Sequence, residues 1–107
     1  MKLSDFLRSR GCVGKDHAMP RLDVASWLGI SIREVKGYAE VERLAGVPIG
    51  YSTDPKKGGL YLCDGEQEVL DLLAKIERLA LSLLRERSAL KRKLRENREK
   101  RLQSHLW

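Results

Sequence analysis

A chain of 107 residues, 34% of them charged and 42% apolar, reads as one globular, helix-leaning domain with a modest core, too small for a large cleft between two domains. Its formal net charge of +6 lies in one place, because residues 85–101 hold nine Lys or Arg against Glu86, Glu96 and Glu99 while the first 84 residues balance to zero. Residues 1–60 carry ten basic and seven acidic groups, and residues 61–84 carry two and five, so charge runs basic, acidic, then strongly basic along the chain. No apolar run is long enough to span a bilayer, and the start MKLSDFLRSRGC lacks the apolar centre of a secretory signal, which predicts a cytoplasmic protein with no membrane partner. Cys12 and Cys63 stand alone, without a CxxC pair, and are expected to be reduced structural thiols; no metal site is expected.

In chain order, Leu3, Phe6 and Leu7 fall at helical spacing and Gly11 ends them, which predicts a first helix over about Lys2 to Arg10 with Ser4 as its cap. Cys12 to Met19 reads as a loop, with His17, Ala18 and Met19 entering a short strand because the residue before Pro20 is pushed towards extended geometry. Arg21 to Tyr38 then reads as two short helices around a tight turn. Leu22, Ala25, Trp27 and Leu28 give the first of these an apolar face that stops at Gly29. Ser31 and Glu34 form the capping-box pattern for a second helix starting at Ile32, carrying Val35, Tyr38, Ala39, Val41, Glu42 and Leu44, and stopped by Gly46. Gly37 lies inside it at a cost of about 1 kcal/mol relative to alanine.

The segments Val47 to Tyr51 and Gly59 to Cys63 are β-prone, and Asp54-Pro55-Lys56-Lys57-Gly58 between them has turn chemistry, so a hairpin with a basic tip is predicted. Pro48 restricts the first strand to an edge or a strand start. Asp64 reads as an N-cap with Gln67 at the third helical position. From Glu66 no proline or glycine interrupts the chain to Trp107, and some 38 helical residues would extend about 57 Å. Val69, Leu73, Ile76, Ala80 and Leu83 keep a 4-3 spacing, flanked by Leu70, Leu72, Leu79, Leu81 and Leu84, more apolar surface than one small domain covers. A second chain paired in coiled-coil fashion is the expected cover, with Val69, Leu73, Ile76, Leu79, Leu83 and Leu90 at the interface. The seam thins through Arg87, Leu94, Asn97 and Arg101, and the last turns are expected to fray.

With Ala25, Gly29, Ile30 and Val35 in the two-helix stretch and Gly58-Gly59-Leu60-Tyr61-Leu62 in the return strand, residues 3–63 resemble the winged helix-turn-helix proteins of bacteria and their phages. The resemblance implies a mainly α fold with a small β-hairpin wing in residues 1–63; to this the residues of 64–107 add the long C-terminal helix, expected to oligomerise through its first half and to end in a basic tail. It also implies that the second helix of the motif, from Ser31, reads DNA while the wing tip touches its backbone or minor groove.

On that model Ser31, Ile32 and Arg33 enter the major groove of double-stranded DNA first, and Lys36 and Glu40 follow one and two turns on. Arg21, Lys56 and Lys57 would hold phosphates. The charge on this helix is nearly balanced, with Glu34, Glu40 and Glu42 beside Arg33, Lys36 and Arg43. Lys56 and Lys57 read equally as a solvated turn, and the two-helix stretch also admits a purely structural hairpin. Trp27 and Tyr38 read as core side chains, and the tail with Lys91, Arg92 and Arg95 reads either as a solvated helix end or as a further backbone contact. No phosphate-binding glycine loop, HExxH or paired carboxylates beside a histidine occur, so neither catalysis nor a cofactor is expected. Two functions remain: a homodimeric DNA-binding regulator of transcription or of phage replication or excision, and an oligomeric adaptor whose winged domain holds a protein partner.

Overall fold

The computed structural model of the chain describes residues 2–101. The protein is mainly α with one antiparallel hairpin and a long last helix: α1 (Leu3–Ser9), α2 (Arg21–Leu28), α3 (Ile32–Leu44), β1 (Ile49–Ser52), β2 (Gly59–Leu62) and α4 (Glu66–Arg101). By internal packing the chain divides into two compact units, the first ending at Leu73 and the second starting at Ala74. The expected run of the last helix to Trp107, and the fraying of its end, lie outside the described residues beyond position 101.

The core of the first unit gathers one to three side chains from each of α1, α2, α3, β1 and β2. Leu3, Phe6, Leu7, Cys12, Val24, Ala25, Val35, Ala39, Ile49, Leu60 and Leu62 are buried together, with Val13, Met19, Leu28, Ile30, Val47 and Tyr51 packed around them. Leu7, Val24, Val35 and Ile49 are fully enclosed. Burying each such side chain stabilises by about 1.5–3 kcal/mol.

β1 and β2 pair in the register Ile49↔Leu62 to Ser52↔Gly59, and β1 begins directly after Pro48, as the missing proline donor requires. β2 is buried throughout, because its other edge is also occupied. Leu60 exchanges both backbone hydrogen bonds with Met19 at 2.8 and 2.9 Å, while Leu62 donates to the Cys12 carbonyl and accepts from the Gly14 amide, both at 2.8 Å. The stretch expected to be a loop therefore meets the other edge of β2 at two isolated bridges of opposite sense, parallel at Val13 and antiparallel at Met19, on either side of a 3-10 turn at Lys15–His17, and the short strand expected at His17 to Met19 reduces to the Met19 bridge. Gly59, at φ 142°, sits where any Cβ would overlap the Met19 carbonyl. This arrangement of three short helices and a hairpin is consistent with a winged-helix-type fold.

Three local expectations are corrected. α1 is preceded by Lys2, which supplies no side-chain cap, and Ser4 is a buried helical residue rather than the cap. Trp27 and Tyr38 are 60% and 50% exposed, not core. In their place α2 buries Val24, since an eight-residue helix has several faces that look apolar and tertiary contact chooses among them. Finally, α4 starts two residues after Asp64, and it is Glu68 that reaches back to accept the Asp64 amide at 2.8 Å and the Lys15 amide at 3.1 Å.

Candidate nucleic-acid interface

The join between α2 and α3 is set by local chemistry. Gly29 takes the left-handed conformation at φ 68°, ψ 33°, which favours glycine, and the Ile30 amide closes the turn on the Ala25 carbonyl at 3.1 Å. Ser31 then caps α3: its Oγ accepts the Glu34 amide at 3.1 Å, and Glu34 Oε1 accepts from the Ser31 amide at 3.4 Å and from its hydroxyl at 3.1 Å. The helix runs unbroken through Gly37, where an added Cβ would meet open space.

The two sides of α3 have different employment. Val35, Ala39 and Glu42 face inward, whereas Ile32, Arg33, Lys36 and Glu40 are exposed. Arg33, Lys36 and Glu40 recur at three- and four-residue spacing and so share one side. Glu42, counted from sequence among the surface charges, is withdrawn into the unit. Its carboxylate accepts the amide of Leu3 at 2.7 Å and that of Ser4 at 3.1 Å, capping α1 from 38 and 39 residues away. A carboxylate at a helix N-terminus also opposes the positive end of the macrodipole.

Arg43, the next residue, is half-buried and equally committed. Its Nε donates to the Ile49 carbonyl at 2.6 Å and its guanidinium lies 5.3 Å from the Tyr51 ring centre, which ties the end of α3 to β1. Burial pulls its pKa below the ordinary value, opposed by Tyr51 and Glu40, while nearby Arg21 adds to the lowering. Arg21 itself opens α2 in an exposed position.

At the hairpin tip Asp54 makes an Asx-type turn, its Oδ1 accepting the amides of Lys56 at 2.8 Å and Lys57 at 3.3 Å. Those two backbone bonds, above all that from Lys56, hold the Asp54 carboxyl below its usual range, with smaller contributions from the charges of Lys57 and Lys15. Both wing lysines are exposed, and Lys15 brings a third ammonium within electrostatic reach of the tip. Sequence reading missed Lys15 because it belongs to a segment that only the β2 pairing brings alongside. Exposed Trp27 is covered on one face by Arg10, whose guanidinium sits 3.5 Å from the ring centre. The cation–π stack explains how a large aromatic is held at the surface.

On α4, Leu72 is buried and Val69 is half-buried. Leu73, Ile76, Leu79, Leu83 and Leu90 remain 40–71% exposed, as do Leu81, Leu84 and Leu94 within the same limits. Lys91, Arg92 and Arg95 are exposed as well. Among the described residues no cluster of three or more His, Cys, Asp or Glu side chains is placed to hold a metal ion, and no helix is long and apolar enough to cross a membrane. Neither Cys12 nor Cys63 is in a disulfide, and burial raises the Cys12 thiol pKa above its ordinary value. In comparisons with family models, curated proteins and solved structures, nothing matches this chain.

Proposed function

We propose that this chain is a non-catalytic, cytoplasmic double-stranded DNA-binding protein of the bacterial or phage winged helix-turn-helix kind, acting as a homodimer in transcriptional control or in phage replication or excision. The observation that carries the reading is the exposed side of α3, with Ser31 at the capped N-terminus and Ile32, Arg33, Lys36 and Glu40 outward, followed in the chain by a hairpin whose turn presents Lys56 and Lys57. On this reading Arg33 and Lys36 approach base edges, and Arg21, Lys56 and Lys57 hold phosphates without reading sequence. Turning Glu42 inward removes one of the three carboxylates that the sequence set against this surface. Lys91, Arg92 and Arg95 of α4 add further backbone contacts.

The test is a gel shift against a random duplex pool at low salt, followed by selection of bound sequences. Binding that falls steeply with salt is expected, and each phosphate-contacting lysine removed should lower the salt slope by about 1. Arg33→Ala with Lys36→Ala should abolish selection while the oligomer stays intact. Indifference to every duplex would sink the reading.

A second reading, an adaptor whose winged unit holds a protein partner, is favoured by Tyr38, Val41 and Leu44. These recur every three residues along α3 and are 50%, 65% and 90% exposed, an apolar strip that phosphate contact does not explain. On that reading the Arg33 and Lys36 exchange leaves partner capture unchanged, whereas Val41→Lys with Leu44→Lys abolishes it.

A further inference from the structure

The exposed apolar face of α4 has an internal asymmetry that selects the direction in which a second copy would lie on it. This step rests on the reading of α4 as a homodimer helix and adds the strand sense. The seam formed by Leu73, Ile76, Ala80, Leu83, Arg87, Leu90 and Leu94 is apolar except at Arg87. Its large apolar members are 40–71% exposed, so nothing within the described chain covers them.

A parallel, in-register pair would set Arg87 against Arg87 in the middle of the seam and Ala80 against Ala80 one heptad earlier. The first places two like charges together in a partly desolvated layer, and the second leaves a gap where two methyl groups face each other. It would also lay residues 85–101, nine basic against three acidic, along their own copy. Like charges at coiled-coil spacing are repulsive within a Debye length of roughly 8–10 Å.

Reversing one helix about a two-fold axis between Leu81 and Ser82 resolves each of these conflicts. Leu73 then faces Leu90, Ala80 faces Leu83, and Arg87 faces Ile76, where its aliphatic stem covers the isoleucine and its guanidinium is directed towards the Glu77 side of the partner. Small meets large in the central layers instead of small meeting small. The basic segment from Arg85 to Asn97 runs along residues 66–78 of the other copy, which carry four acidic groups, Glu66, Glu68, Asp71 and Glu77, against Lys75 and Arg78. We infer that α4 pairs with a second copy of itself in antiparallel sense, centred near Leu81 and Ser82.

Two variants of the full chain, each with one added cysteine, decide the matter. Ile76→Cys and Arg87→Cys both change exposed positions, so folding of the first unit is unaffected. An equimolar mixture under mild oxidation should give a disulfide between positions 76 and 87, identified by peptide mass mapping that separates it from products of Cys12 or Cys63. Neither variant alone should link to itself, because an antiparallel pair holds the two copies of either position about 16 Å apart along the axis. Self-links at 76 or 87 would overturn the antiparallel sense while leaving the dimer standing. A dimer giving no links at either position would overturn the proposed centre. A monomer by light scattering at micromolar concentration would overturn the dimer reading itself. As a second readout, rising salt should shift the antiparallel dimer towards monomer; tightening with salt would mark the like-charged parallel pair.

Discussion

The first unit and the helix beyond Leu73 use the same residue types to different ends. In the first, Leu3, Leu7, Val24, Val35, Leu60 and Leu62 fall to a few per cent exposure, and charged groups are assigned to backbone targets: Glu42 to the α1 amides, Arg43 to the Ile49 carbonyl, Asp54 to the wing amides. In the second, the large apolar side chains stay 40–71% exposed. The lesson is that apolar content alone says little about where stability resides. What matters is whether neighbouring elements enclose the residue.

The largest expected effect tests this contrast directly. Leu7→Ala, at a fully enclosed position, should cost about 2–5 kcal/mol of unfolding free energy in urea titrations. Leu90→Ala, at 71% exposure, should leave the first unit's unfolding unchanged and instead weaken self-association measured by light scattering. Equal losses in both would erase the distinction between the units.

A smaller effect separates two glutamates only two positions apart. Glu42→Ala strips the acceptor from two amides and should cost about 2–3 kcal/mol, whereas Glu40→Ala, at the surface, should change stability by no more than about 0.5 kcal/mol. Far-ultraviolet dichroism during urea titration reads both. A matching pair of values would mean that the α1 cap is not held by Glu42.

That pair also marks the limit of what the sequence made legible. Features written in contiguous residues were readable: the Ser31–Glu34 capping box, the left-handed Gly29, the glycine stop after α3 and the Lys56–Lys57 turn each depend on neighbours within a few positions. Glu42 was not readable, because its partners are Leu3 and Ser4 and nothing near it in the chain announces them. Trp27, expected in the core, is exposed while Val24 is enclosed, for a related reason. Both sit on one short helix, and only the packing of α3 decides which is enclosed. Of the candidate site, the α3 positions followed from the resemblance to winged helix-turn-helix proteins and the wing tip from its turn residues, while Lys15 and the internal engagement of Arg43 required the tertiary fold.

Two finer predictions sharpen the comparison. Gly37→Ala places a methyl group in open space on an α3 that is already helical there, and should raise stability by roughly 0.5–1 kcal/mol by thermal or urea unfolding. The same experiment on DNA affinity indicates whether that space admits the groove. The smallest effect concerns acid. Because the Asp54 carboxyl is held below its ordinary value of 3.8, its support for the wing turn is fully present at neutral pH and is lost as pH falls below that value and through the depressed one. Amide exchange at Lys56 and Lys57, corrected for its intrinsic pH dependence, should lose protection over that window while Leu60 and Leu62 keep theirs. Uniform loss across the hairpin would contradict it.

The capping of α1 by Glu42 has a consequence for the order in which the protein takes shape during synthesis. α1 has seven residues and no side-chain cap of its own, so it is far too short to persist alone in water. Although its residues leave the ribosome ahead of every other element, the acceptor for its first amides follows 38 residues later, and β2, which ties down the segment after it, later still. The front of the chain must therefore wait for its middle. α2 and α3, which carry their own turn and cap, are the part able to organise first, and α1 closes onto them as a finishing step.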